Sequence, residues 1–162
     1  MNKMKKISIE ISVITVLRII IGWHILYEGI SKLIIPNWSS SGFLSESKWI
    51  MSGFASWIIN NESVLKVVDF LNVWGLIAIG TGLILGLFTR IASISGAFLL
   101  FVYYLCNPPL IGLEYTLPAE SSYLIISKTL IEATTLVFLA VSPYSTSVGL
   151  DLFLEKNKNL KN

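Results

Sequence analysis

The stretch that most constrains this chain is Leu17 to Leu33, LRIIIGWHILYEGISKL. It is apolar enough to cross a bilayer, yet it carries Arg18, His24, Glu28 and Lys32. An α-helix turns by about 100° per residue, so His24, Glu28 and Lys32 stack on one stripe, with Arg18 at its edge. Gly22 and Gly29 lie beside that stripe, where a second helix can approach closely. An ionisable side chain at bilayer depth costs roughly 2.5–3.5 kcal/mol on insertion scales. Four of them in one span demand partners from the rest of the chain.

Composition agrees with a membrane setting. Of 162 residues, 54% are hydrophobic and only 14% charged, and the mean hydropathy is +0.72. A soluble domain has ~45–50% apolar and ~25% charged residues. The expectation is one all-α membrane domain over residues 1–162, in contact with the lipid bilayer. The net charge of +2 comes mainly from the chain ends, so it signals topology and no nucleic-acid partner. A single cysteine, Cys106, excludes an internal disulfide, a Cys-x-x-Cys pair or a thiolate metal cluster. A single histidine, His24, excludes a haem held by two histidines of the same chain. No phosphate-binding glycine loop, His-Glu-x-x-His helix or Gly-x-Ser-x-Gly elbow occurs. His24, Glu28, Asp69 and Glu132 have no recognised metal-ligand spacing, so no metal is expected. The start, MNKMKKISIEISVITVLRIIIG, has the basic and apolar parts of a secretory signal but no small-residue cleavage site. It reads as a retained first span.

Four segments reach the ~20 apolar residues that a spanning helix needs: about 7–35, 64–88, 91–106 and 121–141. Pro36, Pro108 and Pro143 stop three of them. Lys3, Lys5 and Lys6 precede the first span, Arg90 lies in the tight second turn, and Lys156, Lys158 and Lys161 close the chain. The loop before the last span carries Glu114 and Glu120 and no basic residue. The positive-inside rule then puts both termini in the cytoplasm, as expected for a multi-pass protein of the bacterial cytoplasmic (inner) membrane. In the first outer loop, Trp49, Ile50, Gly53, Phe54, Trp57 and Ile58 recur at helical spacing, which predicts an amphipathic interfacial helix over about 46–59. Gly82 and Gly86 make a Gly-x-x-x-Gly match that permits close helix packing. The tail, 145–162, is polar and lysine-rich and is expected to fray.

With this topology the remaining ionisable groups gather in the outer half of one bundle. Lys32, Glu28 and His24 lie progressively deeper on the first span. Lys66, Asp69 and Asn72 enter with the second, and Lys128 and Glu132, one turn apart, with the fourth. Glu28, Asp69 and Glu132 face Lys32, Lys128 and Lys66 in number, so the charges balance. Two readings of the cluster stay open. One is a salt-bridge network that fixes helix pairing; the other is a ligand, redox or proton-handling site. His24 suits the second, because an imidazole titrates near neutral pH.

LRIIIGWHILYEGISKL (17–33), WSSSGFL (38–44), VDFLNVWGLIAIGTGLILGLFTRIAS (68–93), YYLCNPP (103–109) and KTLIEATTLVFLAV (128–141) together resemble the DoxX family of membrane proteins. That family includes the DoxD subunit of thiosulfate:quinone oxidoreductase. The resemblance implies a four-helix membrane bundle acting with a second protein subunit, and electron transfer to a membrane quinone. On this view the chain is an oxidoreductase subunit that holds no cofactor of its own and binds quinone as electron acceptor. His24, Glu28 and Glu132 would handle protons, and Trp23, Tyr27 and Trp74 would line the ring pocket. Lys32, Asp69 and Lys128 would hold the carboxylates in place and Asn72 would join the substrate-binding residues, while Arg18, Gly22, Gly29, Gly82 and Gly86 serve the bundle. A non-enzymatic scaffold and a small-solute or proton transporter are the rivals, the latter requiring a homo-oligomer.

Overall fold

The computed structural model describes residues 3–110, 113 and 125–152. All its elements are helices: α1 (Lys3–Ile34), α2 (Ser41–Ser45), a short 3-10 turn (Trp49–Met51), α3 (Ser52–Ile59), α4 (Glu62–Leu85), α5 (Thr89–Cys106) and α6 (Lys128–Val141). Three stretches, Ile7–Ile34, Glu62–Leu85 and Thr89–Cys106, are long and apolar enough to cross a membrane.

The segment expected as a fourth span over 121–141 is different. Its helix begins at Lys128 and has 14 residues, ~21 Å at the usual rise and short of a ~30 Å hydrocarbon core. Ser127 sets the start: its backbone is extended and its hydroxyl accepts the Leu130 N–H at 3.3 Å. Residues 121–124 lie outside the described residues.

Helix α1 packs on α4, and α5 on α6. Ile14, Ile21 and Ile25 of α1 meet Leu76, Ile79 and Leu83 of α4, with Leu100, Leu136 and Leu139 completing the core. In hydrocarbon, such pairing depends on close van der Waals fit rather than on water exclusion. The fit is tightest at Gly80, where an added Cβ would lie 2.5 Å from the backbone nitrogen of Leu26. From the opposite side, Gly22 abuts Leu83 and Gly29 abuts Ile77.

The end of the bundle where α4 turns into α5 is closed by the C-terminal segment. Gly86 ends α4 in the left-handed region (φ 64°, ψ 45°). It therefore terminates the helix and does not extend a Gly-x-x-x-Gly contact. A Cβ there would sit 2.9 Å from both terminal guanidinium nitrogens of Arg18 and from the Gly149 Cα. Arg18 is 2% exposed, and its Nη1 donates to the carbonyls of Ser145 (2.8 Å) and Val148 (2.7 Å). Asp151 accepts from the backbone N–H groups of Phe88 (2.7 Å) and Thr89 (3.0 Å), capping α5 from a distant part of the chain. Leu150 and Asp151 also donate to the carbonyls of Leu85 and Gly86. The expectation of a frayed tail from 145 is thus corrected for 145–152. Its carbonyls accept from Arg18 Nη1 and its Asp151 carboxylate caps the α5 N-terminus. Residues 153–162 lie outside the described residues.

At the opposite end, residues 36–61 fold over the bundle. Asp69 of α4 accepts from both the N–H (2.7 Å) and the hydroxyl (2.5 Å) of Ser40, and Lys48 N–H donates to the Cys106 carbonyl (3.1 Å). The amphipathic helix expected over 46–59 is broken. Trp49 takes a positive φ of 60°, so a 3-10 turn precedes α3 and Glu46–Lys48 lie outside both. Ala55 and Ile58 pack inward with Leu44, leaving Trp49, Ile50, Phe54 and Trp57 exposed.

Asp151→Ala is expected to lower the thermal stability of the detergent-purified protein, by about 1–2 kcal/mol, the usual worth of a helix cap. Asp151→Asn, which keeps an amide oxygen, should lose less. Melting curves of the two variants beside the parent check this.

Candidate functional site

A cavity of about 170 Å³ opens in the half of the bundle nearer Pro36. His24, Ile25, Glu28 and Lys32 of α1 line it, with Leu76 of α4, Leu100 and Tyr103 of α5, and Lys128, Thr129 and Glu132 of α6. The spacing of the α1 and α6 polar residues brings this about: side chains four apart on a helix share a face. That face of each helix turns to the interior while their apolar flanks turn outward.

Two pairs organise the polar groups. The His24 Nε2 lies 3.3 Å from Glu132 Oε1, joining α1 to α6. The Lys32 ammonium donates to Glu28 Oε2 at 2.9 Å, within α1. Lys128 stands near enough to act electrostatically on Glu28, as does His24. Two lysines thus stand against two carboxylates around the cavity, with His24 beside Glu132. A cavity of ~150 Å³ holds one benzene molecule, so this one has room for a single six-membered ring or a few waters.

Several residues chosen from the sequence lie elsewhere. Trp23 and Tyr27 are 62% and 59% exposed on the outer face of α1, so they do not line the cavity. Each precedes a stripe residue by one position, which turns it about 100° away. Trp74 and Asp69 line a second groove of about 270 Å³ with Lys32 and Trp38. There Asp69 is held by Ser40, and the Lys32 ammonium sits 5.7 Å from the centre of the Trp38 ring. Lys66 pairs with Glu62 at 2.6 Å on the surface, apart from the cluster. Arg18 belongs to the other end of the bundle. Gly82 packs toward Leu87 and Ala92.

Tyr103 and Thr129 are the polar lining residues that sequence reasoning missed. The Tyr103 ring lies tilted by 58° against Phe43 (centroids 5.4 Å apart) and beside Asn72. The Tyr103 hydroxyl and the Asn72 amide oxygen are buried, and neither completes a hydrogen bond. The adjacent Tyr104 instead faces out and donates to the Ile125 carbonyl at 2.8 Å. Only the rotation of α5 separates the two tyrosines, and the Tyr-Tyr dipeptide alone holds no signal of it. Among the described residues no three His, Cys, Asp or Glu side chains cluster as metal ligands.

The DoxX family model matches residues 13–106, more than half of the chain. The chain belongs to the DoxX family. With its three apolar helices it is a membrane protein. The DoxX match runs from α1 to the end of α5 and takes in His24, Glu28, Lys32 and Tyr103, while Lys128 and Glu132 on α6 lie beyond it. No curated protein and no solved structure matches this DoxX chain.

Tyr103→Phe removes a buried hydroxyl that lacks a partner, a group whose burial typically costs ~1–3 kcal/mol. The variant is expected to melt at the same temperature as the parent or higher. A clear drop would show that the hydroxyl has a partner in the folded protein.

Proposed function

We propose that this chain is a bacterial inner-membrane subunit of an oxidoreductase system, and that its polar cavity binds the headgroup of a membrane quinone. One observation carries the proposal: a ring-sized cavity inside an apolar bundle, walled by His24–Glu132 and Glu28–Lys32. Reducing a quinone needs electrons and protons together. His24, Glu28 and Glu132 are groups able to exchange protons, and Lys32 and Lys128 hold the carboxylates in place. A separate apolar groove of about 470 Å³ is lined by Leu17 of α1 and by Leu130, Thr134 and Phe138 of α6. It suits the hydrocarbon tail of such a ligand. Electrons come from a partner protein or its substrate, since the chain has no cofactor motif.

The lysines at the chain ends and Arg90 favour a cytoplasmic location for both termini, which sets the cavity in the outer half of the membrane. Helix α6 serves as the fourth membrane segment, and the exposed Trp49, Phe54 and Trp57 lie at the outer interface.

A scaffold role is the second reading, favoured by a specific observation. Both carboxylates already have partners within the chain, Glu28 with Lys32 and Glu132 with His24. Such a network also serves to hold α1 against α6.

Mass spectrometry of lipids retained by the gently purified protein separates the two. Near-stoichiometric quinone in the parent, lost in Glu28→Gln/Glu132→Gln, is the expected result. Stable parent protein that co-purifies with a protein partner and no quinone would favour the scaffold.

A further inference from the structure

The groove of about 270 Å³ at the Pro36 end of the bundle is shared by α1, α4 and the turn after α1. Asp69, Phe70, Val73 and Trp74 supply one wall, spaced so that they share a face of α4. Lys32, in the last turn of α1, and Trp38, just beyond it, supply the other. Asn37 takes a positive φ of 54°, which turns the chain back and leaves the Trp38 ring 5.7 Å from the Lys32 ammonium.

Lys32 and Asp69 are the charged residues of this lining, one of each sign. Each is fixed by a residue outside the groove. Glu28 holds the ammonium at 2.9 Å, and the N–H and hydroxyl of Ser40 both donate to Asp69 Oδ1. Beside them Phe70 and Trp74 are exposed, with ring centres 6.3 Å apart. Exposed aromatic rings near the end of an apolar span sit at the level of lipid headgroups. The groove therefore offers an ammonium, a carboxylate and aromatic faces at the membrane interface.

We propose that this groove binds the headgroup of a phospholipid carrying a primary amine, of the phosphatidylethanolamine class. Lys32 donates to the phosphate, and the second carboxylate oxygen of Asp69, Oδ2, accepts from the lipid ammonium. The Trp74 ring attracts the same cation through its face. Leu33 and Phe70, both exposed, meet the start of the acyl chains. Charge complementarity selects this class. A purely anionic headgroup meets Asp69 as a like charge, and a choline headgroup has no N–H to give it.

The size agrees: a cavity of ~150 Å³ takes a benzene ring, so about 270 Å³ accommodates a phosphoethanolamine group. Lys32 also lines the polar cavity, where Glu28 holds it. An ammonium has donors enough for a carboxylate and a phosphate together, so lipid binding leaves the Glu28 pair in place. The groove is a site separate from the cavity and does not rest on the quinone reading.

The test is native mass spectrometry of the full-length protein released from nanodiscs that hold phosphatidylethanolamine, phosphatidylcholine and phosphatidylglycerol in equal amounts, with identical acyl chains. The expected result is about tenfold preferential retention of phosphatidylethanolamine, ~1.4 kcal/mol. Asp69→Asn keeps an oxygen for Ser40 but removes the charge, and Trp74→Leu removes the exposed ring. Each should bring phosphatidylethanolamine down to the level of phosphatidylcholine. If Asp69→Asn fails to fold, Trp74→Leu, at an exposed position, decides. Equal retention of the lipids, or a preference that survives in a folded variant, overturns the inference. So does a preference for phosphatidylglycerol, which would leave Lys32 as the sole contact. Displacement of the lipid by soluble glycerophosphoethanolamine at equal concentration would assign the groove to a water-soluble ligand and overturn the lipid reading.

Discussion

A charged group in hydrocarbon has no water to satisfy it, and this chain puts four ionisable residues on its first long helix. Everything else in the fold depends on how that demand is met. Arg18 is answered at one end of the bundle by carbonyls of the segment after α6, with Asp151 near enough to offset its charge. His24, Glu28 and Lys32 are answered at the other end, by one another and by α6. Both solutions draw on residues more than a hundred positions away, so α1 binds the start of the chain to its end. The two ends differ in kind: the Arg18 side chain is buried under the C-terminal segment, while the His24 end keeps an open space.

That open space exists because the walls around it are stiff. Gly80 lets α1 and α4 touch at backbone distance, which leaves no freedom for α1 to rotate and spread its charges into lipid. The segment over the far end is strapped by Ser40 to Asp69 and by Lys48 to Cys106, which fixes it against α4 and α5. A polar site thus held can keep His24 and Glu132 at hydrogen-bonding distance without collapsing onto them. A pre-formed polar space of this kind is what the proposed quinone headgroup would need.

The long helices were legible because apolar runs and proline stops act locally, and the starts and ends of α1, α4 and α5 follow them within a few residues. The charged stripe was legible too, since helical spacing alone stacks His24, Glu28 and Lys32. What local rules missed was which neighbour each side chain meets. Asp69 carries the same charge as Glu132 and lies at a similar depth, yet it serves a loop serine. Trp23 and Tyr27 have the chemistry of a ring pocket but lie one position off the inward face. Tyr103 and Tyr104 cannot be told apart until α5 is rotated against its neighbours.

The sequence by itself determined that this is an all-helical membrane chain with paired charges on the interior faces of its first and last helices. Those properties follow from hydropathy and periodicity, which each residue carries wherever the helix is placed. Tertiary structure alone decided that the charges divide between two ends, that residues 145–152 form a clasp instead of a loose tail, and that His24 of α1 meets Glu132 of α6. Each of these depends on the distance between atoms remote in the chain, and such distances are set by how closely helices pack.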